Sequence, residues 1–200
     1  MTIALDDEFP RWYARTDRFR RGLPRTFEVT DDHVTFLRSP DALSSTLSLW
    51  RIDVATGVER CLIDAAALHG DDAELPDAER ARRERLRESG AGITGYTQSS
   101  SGDRIAFAVA GTVWLWEADA LRAADLPGAA FDPILDSLGI HVSCVIDGIV
   151  HVVRFSDGAV VATIARPGMS VGVADFAASE ELARYRGHWW SPDGSRVIAE

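Results

Sequence analysis

Short alternating apolar runs, Asp/Gly turns between them and a recurrence of roughly 40 to 55 residues predict a mainly β fold, an incomplete β-propeller of about two to three antiparallel blades. Ser45 to Asp53 shows the alternation: Leu47 and Leu49 fall on one face, Thr46, Ser48, Trp50 and Ile52 on the other. Turn signals recur at Asp31-Asp32, Ala55-Thr56-Gly57, Ser101-Gly102-Asp103, Asp147-Gly148, Ser156-Asp157-Gly158 and Ser191-Pro192-Asp193-Gly194. With 46% hydrophobic and 26% charged residues in 200, the chain can build a sizeable core.

Residues 1–24 form an amino-terminal helical segment, and 25–200 a partial propeller domain cut short at its carboxy end. Phe9, Trp12, Tyr13 and Phe19 share a face at helical spacing, which predicts a short amphipathic helix packed on something larger and ended by Gly22 and Pro24. A meander follows, with strands at 26–29, 33–37, 45–53 and 58–63. Pro76 then opens an Arg-rich helix near 76–88, acids first and bases after, ending at Gly90 and Gly92. It is polar all round, so it is either solvated or lines a polar cavity. Strands resume at 93–98, 104–109 and 112–117, then at 140–146, 149–155 and 159–165, and a last unit begins at His188 with a strand at 196–199. A short Glu-Glu helix is expected near 177–185.

The net charge of −10 argues against nucleic acid and anionic membrane surfaces and is compatible with a cationic ligand, including the protonated end of a peptide. No segment approaches the roughly 20 apolar residues of a membrane span, and the first residues carry no signal-peptide pattern, so a cytoplasmic location is expected. Cys61 and Cys144 sit in apolar runs and are expected as buried, reduced thiols. The five histidines form no metal-binding spacing, and no phosphate loop or dinucleotide fingerprint occurs, so no metal and no cofactor are expected. Gly168-Met169-Ser170-Val171-Gly172 matches a nucleophile elbow, but Pro167 parts it from the strand and His188 follows too soon, so it reads as a loop and no catalytic residue is assigned.

Glu180-Glu181 carries more chemistry. Adjacent carboxylates repel unless water or a cation relieves them. Two of them can accept several charge-assisted hydrogen bonds from one ammonium group. The bland alternative is a solvated pair in the first turn of a short helix, where acids are favoured. Trp189 and Trp190 alternate on a strand, so one is expected between blades and the other over the Glu helix.

The block Glu180-Glu181-x-x-Arg184-Tyr185-x-Gly187-x-Trp189-Trp190-Ser191-Pro192-Asp193-Gly194 resembles the dipeptidyl peptidase IV family of the prolyl oligopeptidase clan, especially its cytosolic 8/9-like branch and bacterial relatives. Arg83-Glu84-Arg85-Leu86-Arg87, Gly92-Ile93, Tyr96, Phe131-Asp132-Pro133 and Gly172 to Ala178 extend the resemblance from about Pro24 to Glu200. It implies the amino-terminal, substrate-binding propeller of a serine exopeptidase that removes dipeptides from peptide amino termini. By position, Glu180 and Glu181 would hold the free amino group, and Arg87 would meet a substrate backbone carbonyl. The family's α/β-hydrolase domain and Ser-Asp-His triad are absent from these 200 residues. The chain alone is therefore expected to be inactive. Its partners would be a peptide with a free amino terminus and a separately encoded remainder of the propeller and hydrolase. The alternative is a non-catalytic propeller fragment that binds peptides or proteins, or a truncated gene product. The family's Ser-Pro-Asp-Gly turn is replaced at Leu135-Asp136-Ser137-Leu138-Gly139, which leaves that blade open to drift.

Overall fold

The computed structural model describes residues 8–68, 77–86, 88 and 90–200. After α1 (Glu8–Arg15), β1 (Arg25–Val29), β2 (His33–Arg38), β3 (Thr46–Asp53) and β4 (Glu59–Ile63) pair in sequence as an antiparallel first blade. α2 (Asp77–Arg85) and the two-residue β5 (Ala91–Gly92), which pairs parallel with β3, lead out of it. β6 (Tyr96–Gln98), β7 (Arg104–Val109), β8 (Thr112–Glu117) and β9 (Ala120–Ala123) make the second blade. The third contains β10 (Phe131–Leu135), β11 (His141–Ile146), β12 (Ile149–Arg154) and β13 (Val160–Ile164). α3 (Phe176–Leu182) precedes a hairpin of β14 (His188–Trp190) and β15 (Val197–Ala199) that opens a fourth. This is the partial propeller that the repeat predicts, with four strands in each complete blade.

The sequence reading misses β9 and β10, and each omission has a cause. β9 follows a turn at Ala118-Asp119, both left-handed at φ 51° and 61°, where a type I′ hairpin usually advertises itself with glycine. β10 contains Pro133, which a strand tolerates only at an edge or a bulge. Here the register slips between Phe131 and Ile134, and Asp132 takes φ 49°. The segment after β10 keeps its turn. Asp136 accepts bonds from the Ile140 and His141 amides at 2.8 and 2.9 Å, and Gly139 N donates to its carbonyl, so that blade has not drifted.

The cores lie between blades. Leu37, Leu49 and Ile63 of the first meet Ile105, Phe107 and Trp116 of the second. On the other face of β7, Ala106 joins Val113 and Leu115 against Val142, Val153 and Phe155 of the third. Phe131, Val145 and Val150 close on Val171, Val197 and Ala199. Inner strands are also stitched by polar contacts. The Tyr96 hydroxyl lies 2.9 Å from the Thr26 carbonyl at the β1 bulge and 2.7 Å from that of Thr35. Trp190 Nε1 donates to the Ile134 carbonyl at 2.9 Å.

Two expectations are corrected. α1 ends at Arg15, before Gly22, and buries no residue: Phe9, Tyr13 and Phe19 pack on one another with ring centres 5.9 Å apart. Its aromatic face therefore gathers on itself and not on the sheets. Cys144 is buried as expected, its thiol pushed up to about 12 by burial, but Cys61 lies exposed on β4, the outer strand of its blade.

His188 is fully buried at the join of the third and fourth blades, and among the described residues neither ring nitrogen has a partner in good hydrogen-bond geometry. Burial holds its pKa below 6.5; the Asp132 carboxylate and the nearby backbone of Gly172 and Ser143 oppose that shift without cancelling it, and Arg186 adds to it. The unfolded chain thus takes up a proton near pH 6.5 while the folded chain does so only at lower pH. Stability is full above about pH 6.5 and declines as the pH drops below it. In urea titrations, His188→Asn should lose part of this slope, with His33 and His151, also lowered by burial, keeping the rest. Parallel profiles for the two proteins would refute the assignment. Separately, Tyr96→Phe should cost about 1–2 kcal/mol in the same titration, because it strands a buried carbonyl that shares the one hydroxyl proton; an unchanged midpoint would contradict the stitching role.

Candidate functional site

α2 is not solvated. Glu79 lies in its first turn and is only 5% exposed, with Arg83 at 6%. Arg82 grips Glu79 through Nε at 2.7 Å and Nη2 at 3.0 Å, and Arg83 Nε reaches the same carboxylate at 2.6 Å. Burial raises the Glu79 carboxyl, and the two guanidiniums overcome that, leaving it below the usual carboxylate range. Arg83 also donates to the carbonyls of Gly90 and Gly92 at 3.1 and 3.4 Å, which ties the helix to β5 and through it to β3. An all-polar helix is thus anchored by a shared carboxylate in place of an apolar stripe.

Anchoring α2 this way makes it the wall of a cleft. A space of about 430 Å³ is lined by Arg82 and Leu86 of this segment, Tyr96 and Asp132 of the blades, and Tyr185, Arg186 and Trp189 of the segment after α3. A second space of about 190 Å³ shares Arg82, Asp132 and Tyr185 with it and adds Arg85 and Ser170. Asp132, 7% exposed, sits between them and accepts from Arg186 Nε at 3.2 Å.

α3 begins at an Asp175 cap, whose side chain accepts from Ala177 N, and ends at Ala183, left-handed at φ 52°. The amides of Ala183 and Arg184 both close on the Ala178 carbonyl, a Schellman-like end with alanine where glycine is usual. Glu180 and Glu181 therefore stand in the last turn of the helix, and the first-turn placement on which the bland alternative rests does not hold. The difference matters. Carboxylates near a helix C-terminus face the negative end of its dipole, at about 0.3–1 kcal/mol each. Both are exposed, and among the described residues neither makes an ion pair. They do not line the cleft. The chain runs from them directly into its wall at Ala183, Arg184, Tyr185 and Arg186.

The loop carrying α3 is closed at its base by the bridge Gly172–Gly187, where Gly172 N donates to the Glu200 carbonyl at 2.8 Å and Glu200 N to that of Gly187 at 3.0 Å. A Cβ at Gly187 would stand 2.5 Å from Gly172 and Val173 backbone atoms, so only glycine permits this approach. Trp190 packs between blades as expected, its ring 6.0 Å from that of His141, whereas Trp189 lines the cleft and lies under the Arg184 guanidinium at 5.9 Å, beyond the end of the Glu helix. Gly168 to Gly172 forms a turn and a bridge, with no helix directly following Ser170, in keeping with the loop reading.

Arg87 lies outside the described residues; its neighbour Leu86 lines the cleft. The sequence reading missed Arg82, Asp132 and Arg186 as lining residues. A carboxylate before proline in an apolar run was the available signal for Asp132. No cluster of His, Cys, Asp and Glu able to hold a metal occurs among the described residues, and no helix there is long and apolar enough to cross a membrane.

Comparison with known proteins points the same way as this geometry. Residues 147–199 match the family described as "Dipeptidyl peptidase IV (DPP IV) N-terminal region". The whole chain superposes on part of the crystal structure of Porphyromonas gingivalis dipeptidyl peptidase 4, with a TM-score of 0.60 and 19% identity. That match covers 100% of this chain and 27% of the other, so the chain spans about a quarter of the length of the protein it resembles. From β12 through the Glu-Glu helix to the Trp-Trp hairpin, the chain is similar to the amino-terminal region of dipeptidyl peptidase IV proteins, and its fold throughout is that of such a propeller portion.

Proposed function

We propose that this chain is the substrate-binding propeller portion of a dipeptidyl-peptidase-like serine exopeptidase of the cytosolic 8/9-like branch, with Glu180 and Glu181 holding the free amino terminus of a peptide. One observation carries the reading: two exposed carboxylates stand at the unfavourable end of a helix with no ion pair among the described residues. An ammonium group offers three donors and a compensating charge. The likeness of residues 147–199 to the dipeptidyl peptidase IV amino-terminal region supports it. The anchored α2 beside the cleft supports a place for the Arg-rich segment, where Arg87 would meet a substrate carbonyl. The nucleophile would come from outside these 200 residues.

Amino capture makes two demands. Glu180→Gln and Glu181→Gln should each stabilise the free protein by about 0.3–1 kcal/mol at low salt, an increment that shrinks at high salt. Urea midpoints that fall on substitution would mean the pair is structural. In calorimetric titrations, acetylating the amino end of an Ala-Pro peptide should weaken binding by at least about tenfold, and the doubly substituted protein should bind both forms alike. Equal affinity of the wild-type protein for free and acetylated peptides would sink the proposal.

A further inference from the structure

Arg186 faces two surfaces. It lines the cleft beside Tyr185 and Trp189, and it also lines the groove along the inner strands with Glu28 and Gln98. One edge of its guanidinium is fixed, because Nε donates to the buried Asp132 carboxylate at 3.2 Å. Its Nη1 and Nη2 make no hydrogen bond among the described residues, and Glu28 across the groove forms no ion pair with it there, although burial, which raises the Glu28 carboxyl, is opposed in part by the Arg186 charge. A guanidinium held through Nε offers its other edge as two parallel donors at carboxylate spacing. The neighbouring cations are differently engaged: Arg82 belongs to Glu79 and Arg184 to Glu200. Arg85, in the second part of the cleft, has no ion pair among the described residues.

We propose that Arg186, oriented by Asp132, is a carboxylate receptor that selects peptides bearing a carboxylate downstream of their amino end. This rests on the reading that Glu180 and Glu181 take the ammonium. The carboxylate could be an acidic side chain or the free end of a short peptide; both present the same two oxygens. An ammonium at α3 and a carboxylate at Arg186 would bind the ligand at two points and fix its direction across the cleft.

The experiment is calorimetric titration of the 200-residue protein with four ligands: Ala-Pro-Ala as free acid, Ala-Pro-Ala amide, Ala-Pro-Glu amide and acetyl-Ala-Pro-Ala acid. The plain amide should bind about tenfold more weakly than one or both of the carboxylate-bearing ligands with a free amino end. A gain confined to the free acid identifies a peptide carboxy terminus as the source, and one confined to the Glu amide identifies a side chain. Arg186→Gln should level the difference, and Arg186→Lys should keep only part of it. Equal binding of all three free-amino ligands, or a preference that survives Arg186→Gln, overturns the proposal. If Arg186→Gln fails to fold by circular dichroism, the wild-type comparison of acid and amide still decides. The acetylated ligand reads the Glu pair separately. A carboxylate effect without an acetylation effect removes amine capture and leaves the receptor, whereas the reverse removes the receptor alone. No binding of any ligand at millimolar concentration overturns both.

Discussion

The arrangement of blades depends on backbone carbonyls that the inner strands cannot satisfy themselves. In the first and third blades the inner strand slips register at a left-handed residue, Thr26 at φ 54° and Asp132 at φ 49°. Such a bulge frees ladder groups, and a buried carbonyl without a partner costs about 1–3 kcal/mol. The following blade adds a donor beside each bulge: the single Tyr96 hydroxyl proton lies between the Thr26 and Thr35 carbonyls, and Trp190 Nε1 joins Ser143 Oγ on the Ile134 carbonyl. Thr97 does similar work between the second and third blades, accepting from Leu135 N at 2.9 Å. Each blade is therefore completed by its successor. Apolar faces alone would let neighbouring sheets slide; these directional bonds set their register, and with it the position of every residue at the cleft.

The two short helices beside the cleft treat charge in opposite ways. α2 closes its account internally, with one buried carboxylate shared by two guanidiniums and a third set of bonds to backbone carbonyls. α3 leaves two carboxylates where its own dipole disfavours them. A helix optimised for stability would carry bases in its last turn. The contrast supports the view that the charges on α2 build the wall and those on α3 face a visitor. Asp132 combines both roles, being buried, strained in backbone and bound to the guanidinium that reaches across the cleft.

Local chemistry was readable where it is local. The strands around Ala110-Gly111 and Asp147-Gly148 fall within a residue of their expected ends, because those pairs adopt the left-handed turns that fix a two-residue hairpin. Long-range compensation was not readable. Pro133 discourages a strand, and only the bulge and the donor from another blade make β10 possible. α2 offers no apolar period, so its burial depends on Arg83 finding carbonyls of residues beyond the helix. The Glu pair is recognisable as chemistry, but its place in the helix turns on the chain ending α3 at the left-handed Ala183, short of the expected 185. Cys61 looked buried because its run is apolar, yet it lies on the outer strand of its blade.

The glycine contact at the base of the α3 loop separates two kinds of change. Gly172 and Gly187 bring the two ends of the loop together backbone to backbone, and Glu200 fastens both. Closing a loop at its neck makes the entropy of the neck nearly indifferent to what lies beyond it, since closure cost grows only logarithmically with length. The segment between the glycines is thus a cassette. Its length, its helix and its charges can be exchanged while the blades keep their spacing, whereas a single methyl group at Gly187 would pry the third and fourth blades apart. The charge carried by the loop and the integrity of the propeller are written in different residues, a few ångströms from each other.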